Sequence, residues 1–430
     1  MSIEIAVHGG GFVGLTAAIH YSNAGKTVMV YDPDKGVVDG INSGNPKAGE
    51  FLGYLGGTYD REHLRATTSF EIVRNAPVHV VCVPTEKDGR PWMDLIKSVV
   101  NRIVDEAILR LQETTIIVES TLTPGTLASI LEDRQEPMVG KRIALAHAPR
   151  RDWFSDPEKN LATLKRVVGG VTSECTKRAV DVISQITPRE LILETDYKTA
   201  ELTKPLENAF LHVPVMLACE IARAYPDHDV AKAVELACTH WRLMKVHLNA
   251  GTGGRCIPLS SIYLAEGVAG RYDSGGTHLL NAAVQGENGI RDAVARAISK
   301  RIPKNGKVLV LGIAYRPGFK DAGNSPGLAV AHELWKLEHR VYVDDPMWGR
   351  EDLEKLARLP VFDSDCSLVD SFDAVLLATP HDKYMKNEAW RQSLKKGQFV
   401  LDAQGAWKEH REEFEKRSVQ YKRVGDSGWM

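Results

Sequence analysis

A glycine-rich turn directly after the first apolar segment restricts what this chain can fold into. Residues 3–8 are a short apolar segment, and Gly9, Gly11 and Gly14 follow it with the spacing GxGxxG. Residues 12–23 then have the pattern of a helix that ends before Gly25. In a strand–turn–helix unit these glycines permit a tight turn, a close approach of pyrophosphate and close packing of helix on strand. The sequence therefore predicts a Rossmann-type unit at the N-terminus.

An acidic residue at the end of the second strand indicates which dinucleotide would bind. Residues 27–31 form that strand, and Asp32 follows eighteen residues past Gly14. A carboxylate there can bond both ribose hydroxyls and repels a 2′-phosphate, which favours NAD over NADP. The alternative is a glycine-rich turn that binds no ligand. The residues that we predict to bind NAD are Gly9, Gly11, Phe12, Val13, Gly14, Asp32, Pro84 and Thr85.

Short apolar strands alternate with helical segments at both ends of the chain. In the first part they are expected at 78–83, 115–119 and 143–146, and in the last part at 307–311, 341–343, 374–379 and 399–402. Ser325 is expected to cap a helix that begins at Pro326. Such alternation is typical of parallel sheets covered on both faces. The predicted fold class is α/β, with two Rossmann-like doubly wound domains joined by a central domain of long helices.

The middle of the chain has no convincing strand. Apolar residues from Leu202 to Ile221 keep a helical period, and further helices are expected at 230–246 and 281–299. We therefore divide the chain into an NAD-binding domain at 1–190, a helical domain at 191–300 and a second Rossmann-like domain at 301–430. Because a long helix between two sheet domains commonly carries a subunit interface, we expect a homodimer.

Composition excludes several classes of partner. The 430 residues include 54 basic and 56 acidic ones without a basic block, which argues against nucleic acid. The longest apolar runs are shorter than the roughly 18 residues of a membrane span, so we expect no membrane partner. The six cysteines form no CxxC pair. This pattern predicts neither a metal site nor disulfides, and favours the reducing cytoplasm.

One cysteine lies in a segment that could support chemistry. Cys256 follows Gly251, Gly253 and Gly254 in an irregular stretch that could wrap closely around a ligand. A thiol acts as a nucleophile in its thiolate form, which nearby cations such as Arg255 would favour. The alternative is a buried structural cysteine. That alternative is the expectation for the cysteines on strand or helix patterns, which are Cys82, Cys219 and Cys238.

Polar residues elsewhere are weaker candidates. Lys204 and Asn208 are four apart on the long predicted helix and so share one face, with Pro205 between them. A solvated helix face is an equally good interpretation of that pair. Thr121 follows the strand at 115–119, and ligands of open α/β sheets bind at such strand ends. Ordinary turn chemistry would also explain it.

Taken together, these segments resemble the UDP-glucose/GDP-mannose dehydrogenase family. The resemblance lies in residues 9–18, 83–85 with 120–126, 201–210 and 251–258, and continues at 308–326 and 341–346. It covers essentially the whole chain in the right order. It implies NAD in the first domain, a nucleotide sugar between the first and third, a dimer built on the central helix, and a place in polysaccharide biosynthesis.

The resemblance also implies a reaction, in which C6 of a UDP-sugar is oxidised to the uronate in two hydride steps. UDP is favoured over GDP only because it is more frequent in the family. Cys256 would be the nucleophile, giving a thiohemiacetal and then a thioester that water hydrolyses. Lys204 would stabilise negative charge on the C6 oxygen, Asn208 would help to hold that oxygen, and Thr121 would position sugar or water. The residues expected to bind substrate are Arg150, Arg151, Asn249, Gly254 and Arg316.

Several positions depart from the family pattern. Arg150 stands where the family has a glutamate tied to water activation, and arginine cannot serve as a base. Ser260 replaces an aspartate, and the glycine loop looks about two residues shorter than usual. Arg316 replaces a lysine. An arginine expected between Asp321 and Ser325 is absent, with Gly323 nearest, and a late Asp-Gly-Arg-Asn-like element reads DAQG at 402–405.

Three functions are compatible with this mixture of matches and departures. The chain could be a working 6-dehydrogenase whose water is activated by another residue. It could be an oxidoreductase that stops early or oxidises its substrate transiently. It could also bind NAD and a nucleotide sugar without full turnover. We rank them in that order, and the retained Cys256 argues against the third, because a pure binding protein needs no nucleophile.

Overall fold

The computed structural model describes residues 2–46, 59–134, 139–153, 156–268, 276–362 and 366–430. The chain divides into two compact units, each made of two stretches of sequence. The first unit comprises Met1–Glu207 and Tyr263–Ser274, and the second comprises Asn208–Ile262 and Gly275–Met430. Each contains one large sheet.

The sheet of the first unit has the Rossmann strand order. The described strands are β1 Ile5–His8, β2 Val28–Tyr31, β3 Leu64–Thr67, β4 Val78–Val81, β5 Glu86–Lys87, β6 Arg90–Pro91, β7 Thr114–Val118, β8 Ile143–His147, β9 Arg166–Gly170 and β10 Ile192–Asp196. Apart from the β5–β6 hairpin they lie in the order β3-β2-β1-β4-β7-β8-β9-β10. All neighbours are parallel except β8 and β9. The first six strands of this order repeat the Rossmann pattern 3-2-1-4-5-6.

Helices cover both faces of this sheet. Its described helices are α1 Phe12–Asn23, α2 Lys35–Ser43, α3 Phe70–Val73, α4 Asp94–Leu109, α5 Thr126–Arg134 and α6 Ser173–Ile183, with a 3₁₀ turn at Arg189–Leu191. Val7 and Val80 pack in one apolar cluster, whereas their neighbours Ala6 and Val81 pack in another. Because successive side chains of a strand point to opposite faces, both faces are buried, as continuous apolar strands predict.

The second unit repeats this architecture with a different strand order. Its strands are β11 Lys307–Leu311, β12 Arg340–Asp344, β13 Ala374–Leu377, β14 Phe399–Asp402 and β15 Gln420–Arg423. They are all parallel in the order β12-β11-β13-β14-β15, which is the other common doubly wound pattern. The predicted fold class is confirmed, and β11 and β14 have the predicted bounds. The helices α1 and, with its Ser325 cap, α11 also begin where the sequence predicts.

Helices α7 to α10 lie between the two sheets along the chain, and α11 to α15 lie among the strands of the second sheet or after them. The remaining described helices are α7 Tyr197–Ala224, α8 Val230–Ala237, α9 Cys256–Gly267, α10 His278–Ser299, α11 Pro326–Lys336, α12 Arg350–Ala357, α13 Asp382–Lys386, α14 Ala389–Gln392 and α15 Arg411–Lys416, with 3₁₀ turns at Cys366–Ser371 and Lys408–His410. The 28-residue α7 continues through Pro205. Its apolar period is therefore confirmed as a single helix.

Two predictions about the middle of the chain are wrong. The helix expected at 230–246 ends at Ala237, since the residues beyond it have little core to cover, and Trp241 remains 80% exposed. The segment from 191 was expected to lack strands, yet it begins with β10, which pairs in parallel with β9. This edge strand reads ILETD and is mostly exposed, so it lacks the continuous apolar run that identified the others.

Candidate active site

The glycine turn after β1 is built by close backbone contacts. A Cβ on Gly14 would lie 1.9 Å from the carbonyl oxygen of Gly9, and a Cβ on Gly9 would lie 2.8 Å from that of Cys82. The φ of Gly9 is +98°, a conformation that side chains disfavour. Gly11 is exposed at the N-cap of α1, and its Cβ would meet nothing within 4 Å. The turn is therefore tight at its two ends and open where a pyrophosphate would approach.

Asp32 lies where a ribose would be expected. Its Oδ2 accepts a hydrogen bond from the Gly10 amide at 2.7 Å, and its Oδ1 accepts one from the Asp34 amide at 2.9 Å. Each carboxylate oxygen can accept more than one such bond, which leaves capacity for ribose hydroxyls. A cavity of about 420 Å³ adjoins it, lined by Gly9, Tyr31, Asp32, Pro84, Leu95 and Arg102 among others. These residues fit NAD: Gly11 would leave room for the pyrophosphate, and Asp32 would bond a ribose.

Arg150 is buried in an ion cluster beneath the turn. Its side chain is 7% exposed. Its guanidinium donates to the Val13 carbonyl at 2.7 Å, the Thr16 hydroxyl at 2.8 Å, Glu119 at 3.2 Å and Asp152 at 2.8 Å. Burial alone would raise the pKa of Asp152, but the adjacent Arg150 charge lowers it below the ordinary value. The expectation that Arg150 binds substrate does not fit this position, because the cluster instead fastens α1 to the ends of β7 and β8.

Cys256 is the first residue of α9 and is exposed. Its carbonyl accepts hydrogen bonds from Ser260 Oγ at 2.6 Å and from Asn208 Nδ2 at 3.3 Å, and Asn208 Nδ2 also lies 2.8 Å from Ser260 Oγ. The predicted site residues Asn208 and Cys256 are thus brought together. Ser260, at the family's aspartate position, holds the first turn of the helix. The sequence did not predict that role.

Burial makes two of the other thiols, Cys82 and Cys219, poor nucleophiles. Burial raises the pKa of Cys82 well above the ordinary value, and it raises the pKa of Cys219 to about 12. Cys175 is buried too, whereas Cys238 and Cys366 are half-buried. No disulfide joins any of the six cysteines. Exposure distinguishes Cys256 from the others, in line with the contrast that the sequence suggested.

A carboxylate that the sequence analysis missed accompanies Lys204. Glu207 Oε2 lies 3.7 Å from Lys204 Nζ, and Glu207 Oε1 lies 2.7 Å from Arg151 Nε. Glu207 follows Lys204 by three residues on α7, a spacing at which side chains meet and which could have revealed it. Lys204 therefore keeps an acidic neighbour. Arg151, expected at the substrate, is partly engaged by that carboxylate and by the Lys165 carbonyl at 3.0 Å.

Buried Glu201 orders the strand end that carries Thr121. Glu201 is fully buried, and its carboxylate accepts the Gly125 and Leu127 amides at 2.8 Å each, at the start of α5. A carboxylate at a helix N-terminus is favourable because of the unpaired amides there. The loop containing half-buried Thr121 is thereby fixed to α7. Thr85 in turn bonds Tyr263 of α9 through its hydroxyl, at 3.0 Å, so this predicted NAD ligand is already engaged.

The glycine loop before Cys256 is held by a second buried network, which the sequence did not reveal. Glu287 of α10 accepts the Thr252 amide at 3.0 Å, and it lies 3.3 Å from His212 Nε2 and 3.0 Å from Arg291 Nη2. Burial alone would raise the pKa of Glu287, but the hydrogen bonds from His212 and Thr252 and the Arg291 charge lower it. His212 also bonds Ser261 at 2.8 Å. This network fixes the loop against α7, α9 and α10.

The other residues expected at the substrate lie around this loop. Asn249 bonds the next amide through its own side chain at 2.7 Å. Gly254 is buried, and its Cβ would lie 3.1 Å from the ring of Tyr315. Arg316 lies over two aromatic rings, 4.0 Å from the centre of Phe319 and 5.4 Å from that of Tyr315. Gly254 therefore contributes close packing, and Arg316 is a partly buried cation.

Known proteins were compared with this chain. Residues 3–187, 198–286 and 309–409 match the NAD-binding, central and UDP-binding domains of the UDP-glucose/GDP-mannose dehydrogenase family. The chain belongs to this family. The NAD-binding domain identifies NAD as its cofactor, and the chain is a nucleotide-sugar dehydrogenase by family. Among the described residues no helix is long and apolar enough to cross a membrane, and no cluster of possible metal ligands occurs.

Individual relatives match over nearly their full length. UDP-N-acetyl-D-mannosamine dehydrogenase of Pyrococcus horikoshii is 29% identical over 95% of this chain and 96% of its own. UDP-glucose 6-dehydrogenase AglM of Haloferax volcanii is 25% identical over 89% of this chain and 92% of its own. The solved structure of the Pyrococcus UDP-D-ManNAc dehydrogenase superposes with a TM-score of 0.79 at 26% identity, covering 99% of this chain and 100% of the other.

Proposed function

We propose that this protein oxidises C6 of a UDP-sugar, a UDP-hexose or UDP-N-acetylhexosamine, to the uronate with NAD as oxidant. The observation that carries the proposal is the exposed thiol of Cys256 at the start of α9, a residue whose backbone carbonyl accepts hydrogen bonds from Asn208 and Ser260. The names of the relatives support a UDP-sugar as substrate. The balanced reaction converts one CH₂OH group, two NAD⁺ and one water into a carboxylate, two NADH and three protons.

Each protein group has a defined part in this chemistry. NAD, which the glycine turn and Asp32 would hold, would supply the hydride acceptor for both oxidations. The thiolate of Cys256 adds to the C6 aldehyde, and the resulting thioester is hydrolysed by water, which regenerates the thiol. Lys204 stabilises negative charge on the C6 oxygen, and Asn208 holds it, because preorganised donors are most effective where charge develops. Thr121 positions sugar or water.

Two features of the described residues support this assignment of roles. Lys204 retains an acidic partner in Glu207, which fixes its ammonium group on the face of α7 that also carries Asn208. Thr121 lies in a loop that Glu201 fastens to the start of the same helix. Arg150 has no part in the chemistry, since its guanidinium is used inside the first unit.

The stoichiometry of cofactor reduction tests the proposal. Purified protein is incubated with NAD and, in turn, UDP-glucose, UDP-N-acetylmannosamine and GDP-mannose, and absorbance of NADH is followed to completion. Two NADH per UDP-sugar are expected. One NADH per sugar would mean that oxidation stops at the aldehyde. No NADH from any of the sugars would contradict the proposal and favour a binding function.

We also propose that the protein acts in the cytoplasm, where its six cysteines, which form no disulfide, stay reduced. We propose in addition that α7 forms a homodimer interface. Large apolar side chains on α7 are unusually exposed, at 47% for Leu202, 43% for Leu206, 62% for Phe210 and 59% for Leu217. Contiguous apolar surface of this kind marks interaction sites. Light scattering should give a dimer mass for the wild type and a monomer mass for Phe210→Glu. A monomeric wild type would contradict the dimer.

A further inference from the structure

The space beside Gly323 is filled by an arginine from another part of the chain. A Cβ on Gly323 would lie 2.8 Å from Nε and 3.1 Å from Cγ of Arg255. Oδ1 of Asp321 lies 3.0 Å from the same point. The sequence led us to expect an arginine between Asp321 and Ser325, where the chain has only Gly323. An arginine is therefore present at this place, but it comes from the loop before Cys256.

Packing within the second unit fixes Arg255 in this position. The carbonyl of Gly254 accepts a hydrogen bond from Asn324 Nδ2 at 3.3 Å, and Arg291 donates to Asn324 Oδ1 at 3.0 Å. A Cβ on Gly253 would lie 2.7 Å from Pro326 Cδ. The two residues before Arg255 are thus fastened to the residues just after Gly323. The approach of Arg255 to Gly323 follows from these contacts rather than from a freely rotating side chain.

The surroundings of Arg255 suit an anion with more than one negative charge. Arg255 is exposed, and the segment it meets carries the cations Arg316 and Lys320 with the single carboxylate Asp321. The guanidinium fork matches phosphate oxygens in geometry, which an ammonium group does not. Arg316, Lys320 and Asp321 belong to the segment that matches the family's UDP-binding domain. The ligand of this chemistry in the proposed reaction is the diphosphate of the nucleotide sugar.

We propose that Arg255 binds the diphosphate of the nucleotide sugar, in the place that a side chain at position 323 would otherwise occupy. This inference rests on the proposed function. Its consequence is that the two positions are interchangeable: an arginine at 323 can substitute for Arg255, but the two cannot coexist without displacement.

An exchange of the arginine between the two positions tests this directly. The variants are Arg255→Ala, Gly323→Arg and the combined Arg255→Ala/Gly323→Arg, each titrated with UDP by calorimetry. Arg255→Ala should weaken UDP binding by about tenfold to a hundredfold, the range of a hydrogen bond to a charged group. The combined variant should regain most of that loss. The backbone of Gly323 lies outside the left-handed region, so arginine is compatible with it once Arg255 is truncated.

Titrations with uridine and with NAD show whether Arg255 contacts the diphosphate of UDP, another part of UDP or the cofactor. Uridine, which lacks phosphate, should bind Arg255→Ala and the wild type equally, and so should NAD. Arg242→Ala removes another exposed arginine of the same unit and should leave UDP binding unchanged. Equal UDP affinity in Arg255→Ala and the wild type would overturn the inference. A loss that the combined variant, folded by circular dichroism, does not restore would overturn it as well.

Two further outcomes are decisive. If the combined variant does not fold, Arg255→Lys replaces it, and the inference requires UDP to bind this variant more tightly than Arg255→Ala. If the wild type binds neither UDP nor GDP, the proposed function is contradicted and the inference falls with it. If the wild type binds UDP and Arg255→Ala binds it with the same affinity, the inference is contradicted but the proposed function is not.

Discussion

The chain has two glycine-rich turns, and they need glycine for different reasons. At Gly9 and Gly14 of the turn after β1, the atoms nearest to an added Cβ are backbone atoms, such as the Gly9 oxygen at 1.9 Å from a Cβ on Gly14. In the loop before Cys256 they are side chains from distant elements. A Cβ on Gly251 would lie 2.4 Å from Glu287 Oε2, and one on Gly253 would lie 2.7 Å from Pro326.

This difference explains why one turn is a recognisable motif and the other is not. Contacts within a strand–turn–helix unit recur wherever that unit occurs, so the spacing of its glycines carries the information. The second loop depends on which side chains α10 and the segment before α11 present. It can therefore change when those side chains change. The first turn should tolerate no such change.

The largest expected effect is that of replacing Cys256, which follows the second glycine-rich turn. Cys256→Ser should reduce formation of uronate from a UDP-sugar on the order of 10³-fold or more, because a hydroxyl in place of the thiolate removes the nucleophile. NAD affinity, which depends on the first turn, should be unchanged. Cys366→Ser is the matched control and should retain full activity. An unaltered rate of NADH formation in Cys256→Ser would disprove the covalent mechanism.

Substitutions at two glycines of the first turn should have different effects: one should lower stability, and the other should weaken NAD binding. Gly14→Ala places a methyl group 1.9 Å from the Gly9 oxygen, so the free energy of unfolding in urea should fall by about 3 kcal/mol or more. Gly11→Ala meets nothing within 4 Å, so its unfolding midpoint should equal that of the wild type. Its methyl group occupies the pyrophosphate's approach, however, and NAD should bind about tenfold more weakly. Equal unfolding midpoints for both variants would contradict the steric account.

The stability of the loop before Cys256 should depend on Glu287, which is remote from it in sequence. Glu287→Gln leaves Arg291 buried without its counter-charge, and the free energy of unfolding at pH 7 should fall by about 2 kcal/mol. Asp292→Asn, in an exposed pair with Arg296 on the same helix, should cost less than about 0.5 kcal/mol. If both variants lose the same free energy, the buried network does not hold the loop.

Acid should reduce this difference between Glu287→Gln and the wild type. The pKa of Glu287 is lowered in the folded state from its ordinary value of 4.5. Its contribution to stability is therefore complete above pH 4.5 and disappears as the pH falls through the lower folded value. Urea unfolding of wild type and Glu287→Gln at pH 7, 5 and 3 should show a gap that is constant down to about pH 5 and smaller at pH 3. A gap that widens in acid would contradict the sign of the shift.

Much of the fold could be predicted because its signals are local. Buried parallel strands are continuous apolar runs, and α1 and α11 begin at residues whose local chemistry defines a helix start. The exposed edge strand β10 lacks such a run, and α8 ends before the exposed residues 239–245. Tertiary structure decides which residues pack onto a strand or helix, and the local sequence pattern does not contain that information.

The residues of the candidate site also fall into those with a local sequence signal and those whose partners are set by tertiary structure. Motifs singled out Gly11, Asp32 and Cys256, and their roles stay predictions. The partners of Arg150 could not be predicted, since Val13, Thr16 and Glu119 come from α1 and from the end of β7. The identity of the buried network around Glu287 was equally hidden, because its members are separated by up to 79 positions along the chain, from His212 to Arg291.

The smallest expected effect concerns Glu207, the acidic neighbour of Lys204 on α7. Glu207→Gln removes the charge beside Lys204 while keeping the shape of the side chain, so Lys204 loses the group that orients its ammonium. We expect kcat to fall about threefold to tenfold with little change in KM for the UDP-sugar, because that ammonium is used when charge develops on the C6 oxygen. Glu220→Gln, on an exposed position of the same helix, should leave kcat unchanged. If Glu207→Gln and Glu220→Gln behave alike, or if KM rises while kcat stays constant, Glu207 does not position Lys204 for the reaction.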